Sequence, residues 1–489
     1  MTLDTDRKIP EDGTDVPGRN GQPPALWSLA FTELWERFSF YGLQGVLTFY
    51  LLWSLDEGGL ALSATDTVSI VGAYGGAVYV TQVLGGWAAD RIAAPKLMVL
   101  YGGIVITLGH AALAVLPGLS GVAVGLMLIA VGTGGLKSNI SSIVGMLYDE
   151  DRSRRDAGFS YFYMAINGGA ALGPLLAGWT RSQWGFHAAF GLAAVGMVIG
   201  LAQYALKMSD LPAQASVIEN PIDRPSLLRA FAAALGMVFI AAFAWGAGLV
   251  HSGNLTHAVA LVSLVVAAAY FLTMIRSSDV TVRERRRLAG FLPLWVGCAI
   301  YYGFLLQKFT AMSVFITERV DIVVNGWEMP AEWLSVSSPL AVIALTPLVA
   351  SAWTRMGDRQ PTPPQKFALG FIVFGSAYLV LLVLEASNPG RSVPAFGVLL
   401  VLAVAGSSEV FIGPTGLSLA TRVAPQRFKN QTVGVWLLAL ACGSSLSGLL
   451  GTLYTRLPEG SYFAILGGGA LLVAAGLSMG ARRIDELTR

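Results

Sequence analysis

Apolar runs recur along this chain from residue 26 to the C-terminal region, separated by short polar segments. An apolar run of about 20 residues crosses the hydrocarbon core of a bilayer as an α-helix. Inside lipid every backbone N–H and C=O needs an internal partner, so repeated runs predict a helical bundle. Fourteen spans can be read, with approximate cores 27–53, 67–89, 97–116, 121–148, 157–180, 186–207, 228–250, 256–275, 288–317, 333–354, 366–386, 394–421, 430–454 and 461–481. The predicted class is therefore an all-α membrane protein with 14 transmembrane helices. Residues 1–25 break the pattern. They are polar and rich in Pro and Gly, and they predict a disordered tail rather than a signal peptide.

Composition agrees with this pattern. Of 489 residues, 54% are hydrophobic and 13% charged, where soluble domains carry about 25% charged residues. The net charge of +2 gives no reason to expect a nucleic-acid partner. Its distribution is more informative. With both termini on one side, 25 Lys and Arg fall on that side, four on the other, and three (Arg37, Lys137 and Lys308) within the membrane. Positive loops stay in the cytoplasm, so both termini are expected there, in a multi-pass cell-membrane protein. Cys298 and Cys442 lie inside apolar runs and are read as packing residues, not a disulfide.

The chain also repeats itself. WAADRIAAPK (87–96) follows the second span, and MGDRQPTPPQK (356–366) follows the tenth. Each falls after the second helix of a six-helix unit. The expected organisation is a tail (1–25), an N-terminal half (26–207), linkers with an inserted helical hairpin (208–287), a C-terminal half (288–484) and a short cytoplasmic tail (485–489). Duplicated halves with a site at their interface are a transporter architecture. GGWAADR resembles the loop signature of the major facilitator superfamily, which implies that fold. Asp90 and Arg91 are then candidate gating residues, through helix capping and contacts to neighbouring helices.

Charges inside the apolar runs carry the candidate chemistry. Lys137 has at least ten apolar or small residues on each side. A lysine at a helix centre costs roughly 2.5–3.5 kcal/mol on insertion, so such residues mark ion or substrate pathways. Glu33, Glu36 and Arg37 lie at i, i+3 and i+4, on one helix face. Placing them at the interface would leave about 16 residues to cross, short of the ~20 needed. Two carboxylates beside one guanidinium can accept a proton. Glu409 is a lone acid in a late span. The four histidines show no ligand pairing, and no metal or cofactor is expected. The GTGG run lacks a Walker context and reads as helix packing. No nucleophile–base motif points to an enzyme.

ELWERFSFYG (33–42) resembles the E-x-x-E-R-F-x-Y-Y signature of the proton-dependent oligopeptide transporters, with Phe40 in place of the first tyrosine and Tyr41 keeping the second. GTGGLKSN (132–139), FYMAINGGAALGP (162–174) and SSEVFIGPTGLSLATRVAP (407–425) resemble further segments of that family. The resemblance implies a proton-coupled symporter of di- and tripeptides working by alternating access. It implies proton coupling through Glu33, Glu36 and Lys137, and substrate contacts from Arg37, Tyr41, Tyr79, Lys137, Asn167, Gln307, Glu409 and Trp436. Arg37 and Lys137 would take the peptide carboxylate, and Glu409 its ammonium. The partners expected are peptide, protons and the lipid bilayer, with the protein a monomer. Two segments depart from the family. The seventh core helix has Leu306 where an acid is usual, followed by Lys308, which is either a pathway charge or reaches the outer interface. Ser338-Pro339 stands where the family has Asn-Pro. A transporter of another small solute, such as nitrate, would use the same fold without needing Glu409.

Overall fold

A computed structural model describes residues 22–148, 155–389 and 392–488. Its helices are α1 (Pro24–Leu52), α2 (Ala64–Arg91), α3 (Pro95–Val115), α4 (Gly118–Met146), α5 (Arg155–Trp184), α6 (Phe186–Lys207), α7 (Arg224–Gly246), α8 (Leu255–Arg276), α9 (Val282–Leu305), α10 (Ala311–Arg319), α11 (Trp333–Met356), α12 (Pro363–Ala386), α13 (Ala395–Ser407), α14 (Glu409–Val423), α15 (Lys429–Tyr454) and α16 (Glu459–Thr488). The start signals are local. Pro24, Pro95 and Pro363 stand in first turns, where a missing N–H costs nothing. Ser63 caps α2 by accepting the Asp66 N–H at 3.1 Å, and Thr281 with Glu284 forms a capping box on α9. Among the described residues twelve spans are long and apolar enough to cross a membrane by length and composition. The charge-bearing α1 and the long α5 complete the fourteen.

Two spans expected to be continuous are broken. Between α9 and α10, residues Leu306–Phe309 tighten into a single 3₁₀ turn, and Thr310 sits at φ −118°, ψ −104°. Between α13 and α14 the Ser407 and Ser408 hydroxyls donate to the carbonyls of Val404 and Ala405. Side chains that take helix acceptors in this way loosen the ladder. Both breaks lie at mid-span, which brings residues 306–309 and Glu409 into the interior.

Domain edges also shift. The expected tail 1–25 is ordered from Gln22. Gln22 is buried and accepts the Tyr148 hydroxyl at 2.7 Å, and Ala25 is buried in α1. The earlier residues of that tail lie outside the described ones. The expected tail from 485 is instead the end of α16, where Thr488 is buried. α9 begins at Val282, ahead of the expected 288, because its charged first turn is capped rather than left as linker. Cys298 and Cys442 are both unpaired.

The helices run alternately, so α1 starts and α16 finishes at one end of the bundle, here the terminal end. Helices α1–α6 pack as one unit and α9–α16 as another. The two units meet near the opposite end. There Thr65 and Thr455 hydroxyls lie 3.1 Å apart, the Trp53 indole donates to Thr317 at 3.3 Å, and the Trp333 indole donates to the Leu175 carbonyl at 2.9 Å. The Thr48 hydroxyl donates to the Phe309 carbonyl. These bonds gather the two units at this end. A small hairpin, Val323–Val324 with Trp327–Glu328, turns through Asn325-Gly326 at positive φ on the opposite end.

The inserted pair α7–α8 is asymmetric. No residue of α7 is buried. α8 instead wedges into the seam between α2 and α15. The Thr256 N–H donates to Ser69 Oγ of α2 at 3.2 Å, and its hydroxyl donates to the Ser445 carbonyl of α15 at 3.0 Å. Close approach requires glycine here: a Cβ on Gly448 would sit 2.4 Å from Thr256 Oγ1 and 3.0 Å from the Gly72 Cα. Overpacking of this kind costs about 1–3 kcal/mol. Gly448→Val should therefore lower the melting temperature of the detergent-solubilised protein. A thermal-shift measurement with Gly236→Val, an open position on α7, as control tests this.

Candidate functional site

The site grows from α1. Glu33, Glu36 and Arg37 are all buried, at 0%, 1% and 4% exposure. The Arg37 guanidinium forks onto Glu36, Nε to Oε2 at 2.5 Å and Nη2 to Oε1 at 2.6 Å. Its Nε also lies 3.6 Å from Glu33 Oε1. Its charge rests over the rings of Phe40 (4.7 Å) and Tyr41 (5.8 Å). Phe40 thus keeps the aromatic face that the family signature places there, without the hydroxyl.

Lys137 reaches this cluster from α4. Its Nζ donates to Glu33 Oε1 in an ion pair that is 17% exposed on the lysine side and fully buried on the acid side. Small residues upstream make the reach possible: a Cβ on Gly134 would lie 2.6 Å from the Thr81 carbonyl oxygen of α2. The GTGG run is a packing feature, as its composition suggests. Glu33 is shared between Lys137 and Arg37, while its second oxygen, Oε2, is buried without a hydrogen-bond partner among the described residues. Two acids and two bases thus occupy one low-dielectric pocket.

The second half contributes Glu409, the first residue of α14. The Tyr302 hydroxyl points at its Oε1 at 3.5 Å. Lys308, in the turn between α9 and α10, lies within electrostatic range of Glu409. So do Tyr41, Tyr79 and Tyr163 from α1, α2 and α5. Tyr79 also feels Arg37 and Glu36. Asn167 donates to the Tyr163 carbonyl at 3.0 Å, one turn from that hydroxyl-bearing ring. The structure therefore gathers Glu33, Glu36, Arg37, Tyr41, Tyr79, Lys137, Asn167 and Glu409 around the space between the halves. The Lys308 ammonium lies 4.9 Å from the Phe309 ring centroid, and that ring is 6.4 Å from Tyr41 of α1. Tyr163 and Tyr302 join that space without having been read from sequence. Their signal was weak, since aromatics in apolar helices are usually packing.

Other expected contacts lie elsewhere. Gln307 is fully buried, and its amide is spent on Gly303 and Ser447 carbonyls (2.8 and 3.1 Å), the Thr310 hydroxyl (3.0 Å) and the Tyr462 hydroxyl (2.7 Å). It ties the helix break to α15 and α16 and has no donor or acceptor left for a ligand. Trp436 packs among Phe291, Phe367 and Gly416 inside the C-terminal half, away from the charged cluster. The Ser338 hydroxyl is likewise committed, to the Leu402 carbonyl at 2.9 Å. Among the described residues the Asp90 and Arg91 side chains form no ion pair. Their backbone carbonyls instead accept the N–H groups of Asn220 and Ile222, at 2.9 and 3.0 Å, from the linker after α6.

One inter-half contact was not read from sequence. At the opposite end Arg181 of α5 forks onto Glu332, which stands just before α11, at 2.8 and 2.9 Å. Glu332 is buried, and the Arg181 charge lies 4.6 Å from the Trp53 ring centroid. The pair closes the side on which the halves meet.

Two pseudo-repeated helical units, buried charges at their interface and closure at one end define a secondary transporter of the major facilitator fold. A sequence model of the POT family matches residues 96–465, and the chain belongs to that family, the proton-dependent oligopeptide transporters of the resemblance above. Over 463 residues it is 35% identical to the di-/tripeptide transporter of Lactococcus lactis subsp. cremoris, covering 91% of this chain and 93% of that one. It is also 35% identical to the uncharacterized transporter YclF of Bacillus subtilis (strain 168), with coverage of 93% and 94%. The crystal structure of a peptide transporter POT in complex with sulfate superposes with a TM-score of 0.91, at 37% identity and 96% coverage of both chains.

Removing one partner of a buried ion pair costs about 3–5 kcal/mol, because the other charge stays buried. Glu332→Ala should therefore loosen the closed end. Spin labels at Ser182 and Val324, both exposed at that end, should show a longer and broader distance distribution in the variant than in the parent.

Proposed function

We propose that this protein imports di- and tripeptides together with protons by alternating access. The observation that carries this reading is the arrangement of opposite charges on opposite halves: Arg37 and Lys137 on α1 and α4, Glu409 on α14. A peptide zwitterion carries a carboxylate at one end and an ammonium at the other. Bound between these groups it bridges the halves and favours their closure. A small inorganic anion would use the two cations and leave Glu409 unanswered. The POT relatives support the peptide reading.

Coupling follows from the shared carboxylate. With Glu33 ionised, Lys137 is held in an ion pair and is a poor partner for a ligand. A proton on Glu33 cancels that attraction and releases Lys137, and in part Arg37, for the peptide carboxylate. Loss of the proton restores the pair and expels the ligand. Proton and peptide then favour the same state, which is the condition for linked transport. The tyrosines of α1, α2, α5 and α9 would line a pocket tolerant of side chains. The excess of Lys and Arg at the terminal end supports a cytoplasmic location for both termini, with the Arg181–Glu332 end facing outward. The linker bonds on the Asp90 and Arg91 carbonyls support a gating role for that loop by fixing its backbone. The protein works as a monomer, since each chain holds a complete pair of halves, and it performs no catalysis.

Two experiments test this reading. Glu33→Gln keeps the shape and removes the titration. In proteoliposomes it should abolish uptake driven by an imposed pH gradient and leave peptide counterflow measurable; undiminished gradient-driven uptake would refute the proton site. Truncating one side of a buried charge pair costs about 2–5 kcal/mol, or roughly 30- to several thousand-fold in affinity. Glu409→Ala should weaken a free dipeptide by such a factor and an N-acetylated dipeptide much less. Equal losses would mean that Glu409 does not hold the ammonium.

A further inference from the structure

Where α11 ends and α12 begins, the C-terminal half encloses a cavity of about 550 Å³ that the transport reading does not use. Its walls include Trp353 of α11, Lys366 of α12, Ser418 and Arg422 of α14, and Asp485 of α16. Among the described residues every wall belongs to the C-terminal half. Ser418 and Arg422 are exposed, so the cavity communicates with the surface. Trp353 meets Phe411 of α14 edge-on, 6.3 Å between ring centroids, and so bridges α11 and α14 beside it.

The cavity is cationic. The Lys366 ammonium donates to the Gln360 side-chain oxygen at 2.8 Å and stands 4.9 Å from the Trp353 ring centroid. Both partners are neutral. Among the described residues neither Lys366 nor Arg422 has a carboxylate within the 4.0 Å of an ion pair. The one acid on the described walls is Asp485. Two cations against one acid leave an excess charge that a bound monoanion would balance.

Position selects the kind of anion. α11, α14 and α16 end here and α12 begins here, so the cavity sits where the chain leaves the hydrocarbon, at headgroup depth. Trp353 stands at the level that tryptophan favours in membranes. α12 packs on α9, α13, α14 and α16, all of its own half. Leu369 and Ile372, three and six positions beyond Lys366, are exposed, and they face lipid rather than the other half. A soluble phosphate would use the cations alone. A phospholipid also covers the apolar walls Val349 and Leu419 and continues along the lipid-facing side of α12.

We propose that this cavity binds the phosphodiester headgroup of an anionic phospholipid, with Lys366 and Arg422 on the phosphate and Trp353 against the glycerol. Basic pockets between membrane helices on the cytoplasmic side suit such lipids, which give that leaflet its negative surface. The proposal takes the cytoplasmic placement of the terminal end from the reading above.

Native mass spectrometry of the full chain in detergent tests this, with phosphatidylglycerol and phosphatidylcholine of matched acyl chains added in equal amounts. The wild type should retain phosphatidylglycerol over phosphatidylcholine by about tenfold, as expected for an added charge interaction near the membrane surface. Its melting temperature should rise with phosphatidylglycerol more than with phosphatidylcholine. In the double variant Lys366→Gln, Arg422→Gln the preference should fall to near one. In Lys366→Arg it should persist. Arg482→Gln removes a 94% exposed cation of α16 and should leave it unchanged. Equal retention of the two lipids by the wild type overturns the proposal without any variant. So does a loss in Arg482→Gln as large as in the double variant, since a diffuse basic surface would then hold the lipid. Displacement of phosphatidylglycerol by an equal concentration of glycerophosphoglycerol also overturns it, because the site would then take a soluble phosphodiester. None of these outcomes depends on peptide transport, so failure here leaves the peptide reading standing.

Discussion

The ion pair between Glu33 and Lys137 is the constraint on which the site depends. Neither group could stay charged alone in the interior of a helical bundle, where an isolated ion costs several kcal/mol. Together they tie α1 to α4, and Arg37 and Glu36 extend the tie along α1. Among the described residues the buried Glu33 Oε2 has no hydrogen-bond partner, which leaves this network incomplete. A complete network would be structural and inert. An incomplete one can accept a proton or a ligand group at the cost of rearranging only side chains.

The second constraint is the seam. α2 and α15 approach through small residues, and α8 fills the remaining space by bonding to both with Thr256. The inserted hairpin is therefore no mere appendage, although α7 stands outside the bundle with its apolar face bare. In a membrane that face needs no protein partner, since lipid covers it as well as side chains would. Thr256 of α8 finds its partners on both halves, while the Ser263 and Thr273 hydroxyls donate to carbonyls of α8 itself.

The fold was legible because hydrophobic periodicity and length decide membrane spans almost alone. The two mid-span breaks were not, because they depend on tertiary contacts. Gln307 finds one acceptor on α9 and one on α15, and its hydroxyl donors on α16 and at Thr310, and no local pattern announces that. The same long-range bonds explain why Gln307 reads as a ligand residue in the sequence and turns out to be a structural one. Charges in apolar runs share a signal that periodicity cannot absorb: Glu33, Glu36, Arg37 and Lys137 form one buried cluster, and Glu409 stands at the break before α14. Aromatics carry no such signal, because ring contacts satisfy them anywhere, as Trp436 illustrates among Phe291 and Phe367. Arg181 and Glu332 escaped notice for a related reason. Each sits near a helix end, where a charge needs no special explanation, and only the fold shows that they meet.

That meeting bears on energetics. A buried, bidentate pair stacked on Trp53 holds one end of the molecule shut, and opening that end exposes both charges to water. Solvation returns part of what the pair loses, so the net cost is well below that of deleting one partner. It still has to be met by something that distinguishes the two states. A ligand equally content in both would shift nothing, however tightly it bound. In the reading proposed above, a zwitterion spanning Lys137 and Glu409 is different, because its contacts would exist only with the halves the right distance apart. The latch and the cluster therefore have opposed preferences by construction. The latch favours the state seen here with no help from ligand, whereas the cluster gains most from a ligand that bridges the two halves. A transporter needs that opposition, since two sites favouring the same state would leave it locked.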